Sequence, residues 1–378
     1  NDLAVVKGEL TSQDTDGWST LINCASSHIY LKQMNRKCES ALENGAEPVR
    51  VLSSVLGQNY PSDELEYSWK KLMQNHPHDS ICCCSVDEVQ DEMATRFNKS
   101  KQVADYLVSE GTRYIADKIN TKEYEKYKNA LPFVVFNPTG RKRTSVVSVE
   151  IDVTRKSGWL KKCAYDLDEI NVPNYKLIDS AGNSIPFKIE DLGVRFGYDL
   201  PKDKFRQPYM ARRVRVTFEA ENISAVGYKT YALVEGDAEK VTDTLVSGEN
   251  CMENDAIRVE INKNGSLNVT DKASGRTYKG VAYYEETGDL GNEYMYKMPE
   301  GSKAITTQDT VAKIELAEDE PYRAMYKITN TITVPKSGDD NFEDEKRHMV
   351  FFKERVGGRS NDTVEMKIET FVSLDKNG

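Results

Sequence analysis

The chain has 378 residues, of which 30% are charged and 38% hydrophobic, and its formal net charge is −10 at pH 7. This length accommodates two or three domains, and the composition is ordinary for a globular protein. The acidic balance argues against nucleic acid as the main partner, because phosphate binding needs a concentrated basic face. No apolar run approaches the ~20 residues that a membrane helix needs, so no membrane partner is expected.

The N-terminus and the cysteines bear on where the protein works. The first ten residues, NDLAVVKGEL, lack the regions of a signal peptide and an initiating Met, which is compatible with a processed chain, a tag scar or a fragment. The seven cysteines are irregularly spaced, which argues against a disulfide framework and for a reducing, cytoplasmic compartment. Cys82, Cys83 and Cys84 are consecutive, and this spacing favours a structural thiol cluster over a metal or redox site.

The apolar spacing is helical up to about residue 130. It predicts helices from Ile29 to Leu42, from Pro48 to Leu56, and around Leu65 to Met73. A long fourth helix starts at Ser85, where Ser85 and Glu88 have the spacing of a capping box. Helices with one apolar stripe each pack as a bundle, so residues 1–130 are predicted to form a helical bundle.

After Ala130 the apolar period becomes two, which is typical of half-buried strands. The alternating residues are Val147, Val149, Ile151 and Val153; Val214, Val216 and Phe218; Ile257, Val259 and Ile261; and Val364 through Leu374. Asn264-Gly265 predicts a hairpin. Residues 131–378 are therefore predicted to form an antiparallel β-sandwich region, with a subdomain break near residues 240–255. The fold class expected for the whole chain is α+β, multidomain.

The segment from Asn75 to Ile81 concentrates side chains that can do chemistry. It holds two of the four histidines, His76 and His78, and the carboxylate of Asp79. A neutral imidazole is a good zinc ligand, but zinc needs three or four protein ligands. From spacing alone, an ordinary polar loop between two helices is the better interpretation.

A resemblance to a known family changes the relative weight of these two interpretations, a zinc site and an ordinary polar loop. The stretch from Trp69 to Cys82 resembles the second zinc motif of glycoside hydrolase family 38, the retaining α-mannosidases, in its bacterial branch. Other segments resemble that family in the same order along the chain: Gly8 to Leu10, Ser26 to Gln33, Ala46 to Pro48, Val135 to Pro138, and Gly288 to Tyr294.

The resemblance implies roles for particular residues. His78 matches a zinc ligand of the family, and Asp79 matches the residue that holds sugar hydroxyls near the metal. Tyr294 is a candidate for lining the sugar site, with a core or rim tyrosine as an equal alternative. His76 matches no ligand and is interpreted as loop structure.

The sequence departs from the family pattern at two positions. His28 stands where the family usually has Arg, which removes a fixed cation. Cys83 stands where Gly is common. If the backbone there needs a positive φ, cysteine carries a strain of about 1 kcal/mol or more.

A larger departure is the lack of the family's early His-x-Asp zinc motif. The resemblance places the nucleophile and the general acid upstream, so no catalytic residue is assigned in this chain. It implies a zinc-dependent retaining enzyme that acts on α-mannoside glycans or mannosyl conjugates, with the isolated chain inactive. The alternative is a non-catalytic accessory module for folding, oligomer or carbohydrate contacts. A homo-oligomer is compatible with either interpretation.

Overall fold

The computed structural model describes residues 22–170, 172–201, 203–239, 241–289, 299, 302–340, 357–359 and 361–377. The chain divides into two compact units. The first, here the helical unit, comprises Asn1–Asp117, Ala282–Ala312 and Thr329–Ile368. The second, here the β unit, comprises Lys118–Val281, Lys313–Ile328 and Glu369–Gly378. The expectations for Gly8 to Leu10 and for Tyr294 lie outside the described residues.

The helical unit contains the helices that the apolar spacing predicts. They are α1 (Ile29–Ala41), α2 (Glu47–Val55), α3 (Ser62–Met73), a single turn α4 (His78–Ile81) and α5 (Asp87–Ala116). A π-helical segment, Leu42–Ala46, joins α1 to α2. The apolar stripes meet in one core that includes Leu31, Leu42, Leu65, Leu72, Met93, Phe97 and Leu107. No helix among the described residues is long and apolar enough to cross a membrane.

Small residues allow the helices to approach α5 closely. A Cβ on Gly111 would lie only 2.6 Å from Cγ1 of Val49, so the α2–α5 contact requires glycine there. Between α3 and α5, the fully buried Ser68 donates a hydrogen bond of 2.9 Å to the carbonyl of Ser100. Its hydroxyl is thereby satisfied inside the core.

The capping box predicted at the start of the long helix is wrong. Helix α5 begins at Asp87, its N-cap is Val86, and no side chain caps it. The Ser85 hydroxyl instead donates to the carbonyl of Asp79 at 3.2 Å, because the chain before α5 folds back on α4. Asp87 and Glu88 in the first turn still favour the helix through its dipole.

Two antiparallel sheets form a sandwich in the β unit, and their strands carry the predicted alternation. The strands are β1 (Leu131–Asn137), β2 (Arg143–Lys156), β3 (Tyr175–Asp179), β4 (Ser184–Ile185), β5 (Phe187–Asp199), β6 (Gln207–Ile223) and β7 (Gly227–Glu235). One sheet has the order β1-β7-β3-β4 and the other β2-β6-β5. Leu177 and Leu233 of the first pack with Val214, Val216 and Phe218 of the second.

A helix interrupts this sandwich where the sequence pattern did not predict one. Helix α6 (Leu160–Asp168) lies between β2 and β3 and buries Cys163 and Leu167. The ammonium of Lys162 bonds the carboxylate of Asp166, four residues on, at 2.9 Å. Such an exposed pair adds little to stability, so the burial of Cys163 and Leu167 is the larger contribution.

A third antiparallel sheet follows, with the order β12-β11-β10-β9-β8. Its strands are β8 (Val246–Gly248), β9 (Cys251–Glu253), β10 (Ile257–Ile261), β11 (Leu267–Asp271) and β12 (Arg276–Val281). The Asn264-Gly265 hairpin is confirmed: Ile261 pairs with Leu267, and Gly265 has the positive φ of 84° that the turn requires.

The remaining strands are shorter or lie near the end of the chain. They are β13 (Glu285–Glu286), β14 (Ile305–Thr306), β15 (Lys313–Glu320), β16 (Arg323–Pro335), β17 (Gly338–Asp340), β18 (Gly357–Arg359) and β19 (Thr363–Asp375). They pair as β13-β14, β15-β16-β19 and β17-β18. The predicted α+β class, a helical region followed by antiparallel sheets, is confirmed.

Candidate functional site

The connection between α3 and α5, residues 76–85, carries His78 and Asp79 and is here called the His-Asp segment. Buried side chains hold both of its ends. The fully buried Asn75 donates from Nδ2 to the carbonyl of Met93 at 3.0 Å. At the other end Gln90, also buried, donates to the carbonyls of Cys83 at 3.3 Å and Ser85 at 2.9 Å. Helix α5 is therefore the platform that positions the segment.

His78 and Asp79 lie side by side at the surface. Their side chains are 91% and 70% exposed, and Nε2 of His78 lies 3.4 Å from Oδ1 of Asp79. Neighbouring residues of a helix diverge by about 100°, so this contact joins two side chains that leave the backbone in different directions. The segment thus presents an imidazole and a carboxylate together to the same outer point.

The backbone of Asp79 is held from the far side of the segment. Its carbonyl accepts hydrogen bonds from the Cys84 amide at 3.3 Å and from the Ser85 hydroxyl at 3.2 Å. The Cys84 thiol lies 3.6 Å from Oδ1 of the Asp79 carboxylate, within reach of a weak thiol hydrogen bond. These contacts fix the backbone from which the Asp79 side chain extends and leave most of the carboxylate exposed to solvent.

His76 lies elsewhere. Its Nε2 is 2.8 Å from Oδ1 of Asn35 on α1, which gives this ring a structural contact between the segment and a helix. The structure therefore separates the two histidines that are so close in sequence: one is bonded to the bundle and the other faces solvent.

The three cysteines of the segment, Cys82, Cys83 and Cys84, are free thiols, as are the other four cysteines of the chain. The thiol of Cys24 lies close to those of Cys82 and Cys84: burial, followed by their influence, raises the pKa of Cys24 to about 11. A thiol with such a pKa stays protonated at neutral pH and is a poor nucleophile. The structural thiol cluster that the sequence indicates stays a prediction.

Both departures from the family pattern fall on left-handed backbone. Cys83 has φ 62° and is buried, so the condition under which the sequence predicts a strained cysteine is met. The ammonium of Lys32 lies 3.2 Å from its Sγ, a contact that glycine could not make. His28 has φ 45° and precedes α1, with Ser27 Oγ 3.3 Å from its Nδ1.

The number of available ligands limits the metal binding of the His-Asp segment. In the described part of the chain, no three or more His, Cys, Asp or Glu side chains are grouped to hold a metal ion. A structural or catalytic zinc takes at least three protein ligands. His78 and Asp79 fit as a partial donor set, because both are exposed, adjacent and of types that zinc accepts.

Comparison with known families identifies the class of protein. Residues 19–115 match the family described as "Alpha mannosidase middle domain", and residues 128–235 match "Glycosyl hydrolases family 38 C-terminal domain 1". The two matches follow each other in chain order and together cover more than half of the chain. The chain belongs to glycosyl hydrolase family 38 and contains its middle domain and its C-terminal domain 1.

Comparison with individual relatives supports the same family. The chain is 38% identical to a protein of Halalkalibacterium halodurans named "Putative mannosylglycerate hydrolase", an alignment that covers 99% of this chain and 42% of the relative. It is 40% identical to a solved α-mannosidase from Enterococcus faecalis V583, with a TM-score of 0.90 over 100% of this chain and 43% of that one. A second Enterococcus faecalis structure of family 38 matches at 37% identity and a TM-score of 0.88, covering 95% of this chain and 43% of that one. The chain spans less than half the length of each relative.

Proposed function

We propose that the chain is the middle and C-terminal part of a zinc-dependent retaining glycosidase that hydrolyses α-linked mannosides or mannosyl conjugates. Family membership supports the reaction class, and the names of the relatives, an α-mannosidase and a mannosylglycerate hydrolase, support the mannosyl substrate. The observation that carries the proposal is the convergence of His78 and Asp79 at one exposed point of the family's middle domain.

His78 supplies a zinc ligand in this proposal, and Asp79 accepts a hydrogen bond from a hydroxyl of the mannose ring. Bound zinc supplies Lewis-acid binding of sugar hydroxyls, which favours a distorted ring. Asn75 and Gln90 keep the two donors in register with α5. The remaining zinc ligands, the nucleophile and the general acid belong to the rest of the parent protein, and the isolated chain is inactive.

A reducing, cytoplasmic compartment is part of the same proposal. All seven cysteines of the chain are free thiols. Secreted proteins more often pair their cysteines, so unpaired thiols support an intracellular enzyme.

The test uses the complete protein and the two histidines of one segment. We expect His78→Ala to lose zinc and to lower mannosidase turnover about 100-fold or more, because a metal ligand is removed. His76→Ala, the matched control, loses only a contact with Asn35 and should keep both. The measurements are elemental analysis and hydrolysis of an aryl α-mannoside.

Two outcomes would contradict the proposal. If His78→Ala keeps its zinc and its rate, the segment is no part of the active site and the accessory-module interpretation replaces the proposal. Zinc-stimulated turnover by the isolated 378-residue chain would show that the catalytic carboxyls lie within it.

A further inference from the structure

A cavity of about 300 Å³ lies within the β unit and is here called the sandwich cavity. Its walls come from the turn between β3 and β4, from β6 and β7, from Pro321-Tyr322 between β15 and β16, and from Lys376. Pockets that bind small molecules have volumes of about 300–1,000 Å³, so this one has room for a small ligand. It uses no residue of the His-Asp segment.

Some polar groups of the cavity are already satisfied by the fold. The carboxylate of Asp179 accepts hydrogen bonds from the amides of Ala181 at 2.9 Å and Asn183 at 2.8 Å, which shapes the β3–β4 turn. The hydroxyl of Tyr322 donates to the carbonyl of Thr217 at 3.0 Å. These groups build the wall and are not available as the main contacts of a ligand.

Tyr231 is different. It is 3% exposed, and its ring lies against Phe218 at 4.9 Å and Phe133 at 5.8 Å between ring centres. Among the residues that the structure describes, its hydroxyl has no hydrogen-bond partner, although the residue lines the cavity. Buried tyrosines usually bond their hydroxyl. Burial, then the carboxylates of Asp179 and Glu221, raises the pKa of Tyr231 to about 12, so at neutral pH its hydroxyl is protonated and can donate.

Glu219 provides the complementary acceptor. It is buried at 7% exposure, and its Oε2 accepts from Nδ2 of Asn377 at 2.9 Å. Burial raises the pKa of this carboxyl, which means that the charge is poorly solvated. A further donor from a ligand would stabilise it.

The charges around the cavity narrow the class of ligand. The formal charges of its lining residues nearly cancel, because three are acidic and two are basic: Asp179, Glu219 and Glu221 against Lys229 and Lys376. A free anion or cation therefore gains little from the field of the site. A neutral molecule whose hydroxyl groups both donate and accept matches Tyr231 and Glu219 together.

We propose that the sandwich cavity binds a neutral polyhydroxylated molecule of the size of one pyranose ring, with one hydroxyl accepting from Tyr231 and another donating to Glu219. This is a binding site without catalysis, it goes beyond the proposed glycosidase function, and it does not require zinc.

The test is a titration of the isolated chain with three probes: methyl α-D-mannopyranoside, methyl α-D-glucopyranoside and myo-inositol. Calorimetry and ligand-observed NMR should show saturable 1:1 binding of at least one probe. Tyr231→Phe keeps the ring in the core and removes the hydroxyl, so affinity should fall about 5-fold, as for a lost hydrogen bond. Tyr228→Phe is the control, because Tyr228 is an exposed tyrosine of the same strand.

Glu219→Gln serves as a second variant should Tyr231→Phe fail to fold, and it should also weaken binding. The proposal is overturned if none of the probes binds saturably, or if binding is unchanged by these substitutions. It is likewise overturned if Asp79→Asn abolishes binding while Tyr231→Phe does not, since the probe would then occupy the His-Asp segment. None of these results bears on zinc or turnover in the complete protein, so the two proposals fail separately.

Discussion

The helical unit and the β unit present polar groups to ligands in opposite ways. In the His-Asp segment, His78 and Asp79 stand almost fully in water, and buried residues behind them fix only the backbone. In the sandwich cavity, Tyr231 and Glu219 are buried, and the surrounding strands fix their side chains. Exposed donors cost the fold little but bind weakly unless other ligands join them, whereas buried groups cost stability and gain most when a ligand satisfies them.

This contrast explains why one region needs partners and the other does not. Two exposed donors fall short of a zinc site, so the proposed metal centre depends on residues beyond the described ones. The cavity already has a donor, an acceptor and its lining residues inside one unit. Substitutions should therefore affect the stability of the two regions differently. In the His-Asp segment, stability should depend on the buried anchors, whereas in the sandwich cavity it should depend on the groups that face the ligand.

The largest expected effect on stability is that of Asn75, the anchor of the His-Asp segment. Asn75→Ala should lower the free energy of unfolding by about 2 kcal/mol, because a fully buried hydrogen bond and its packing are lost. Asn44→Ala, which removes an exposed bond to Ser40, should change it by less than about 0.5 kcal/mol. Urea unfolding of both variants measures the difference. Equal effects would show that the segment is held by something other than this anchor.

The elements were predictable because the apolar period is local. The spacing predicts α1, α2, α3 and the body of α5, and the alternation predicts β2, β6, β10 and β19. The capping box predicted at Ser85 was wrong because the Ser85 hydroxyl donates to the Asp79 carbonyl, a contact made where the chain folds back and not at a helix cap. Helix α6 lies in a stretch where strands were expected on both sides.

The candidate sites were less predictable. The resemblance to the family points to His78 and Asp79, but adjacent helical residues are not expected to converge, so their approach appears only in three dimensions. The sequence contains one usable indication of the anchors Asn75 and Gln90, namely a polar residue next to an apolar stripe. The cavity gave none, because Asp179, Tyr231 and Tyr322 are far apart in sequence and meet only through the sheets.

A smaller effect should come from the strained backbone of the segment at Cys83. At φ 62°, a residue without a Cβ is favoured, so Cys83→Gly should be more stable than Cys83→Ala by about 1 kcal/mol. Both variants lose the buried thiol and its contact with Lys32, so their difference isolates the backbone term. Thermal or urea unfolding of the pair gives the comparison. An alanine variant as stable as the glycine variant would mean that Cys83 carries no strain.

The smallest predicted effect concerns the cavity and depends on pH. Burial raises the folded-state pKa of Glu219 above its ordinary value. The folded chain then binds more protons than the unfolded chain between the two pKa values, so this residue's contribution is most favourable below pH ~4.3 and is lost as pH rises through the folded pKa. Glu219→Gln removes that loss. Its stability relative to the parent chain should therefore improve between about pH 4 and about pH 7.

The difference between variant and parent is the informative quantity, because other carboxyls act in the opposite direction. At Asp179, for example, burial raises the pKa of the carboxyl, but the hydrogen bonds from Asn183 and the turn amides together outweigh it and lower the pKa, so its contribution is lost at acid pH instead. Urea unfolding of the Glu219→Gln variant and the parent chain at both pH values tests this. A difference that does not change with pH would mean that water reaches the Glu219 carboxylate freely, and the cavity would lose the buried acceptor that sets it apart from the His-Asp segment.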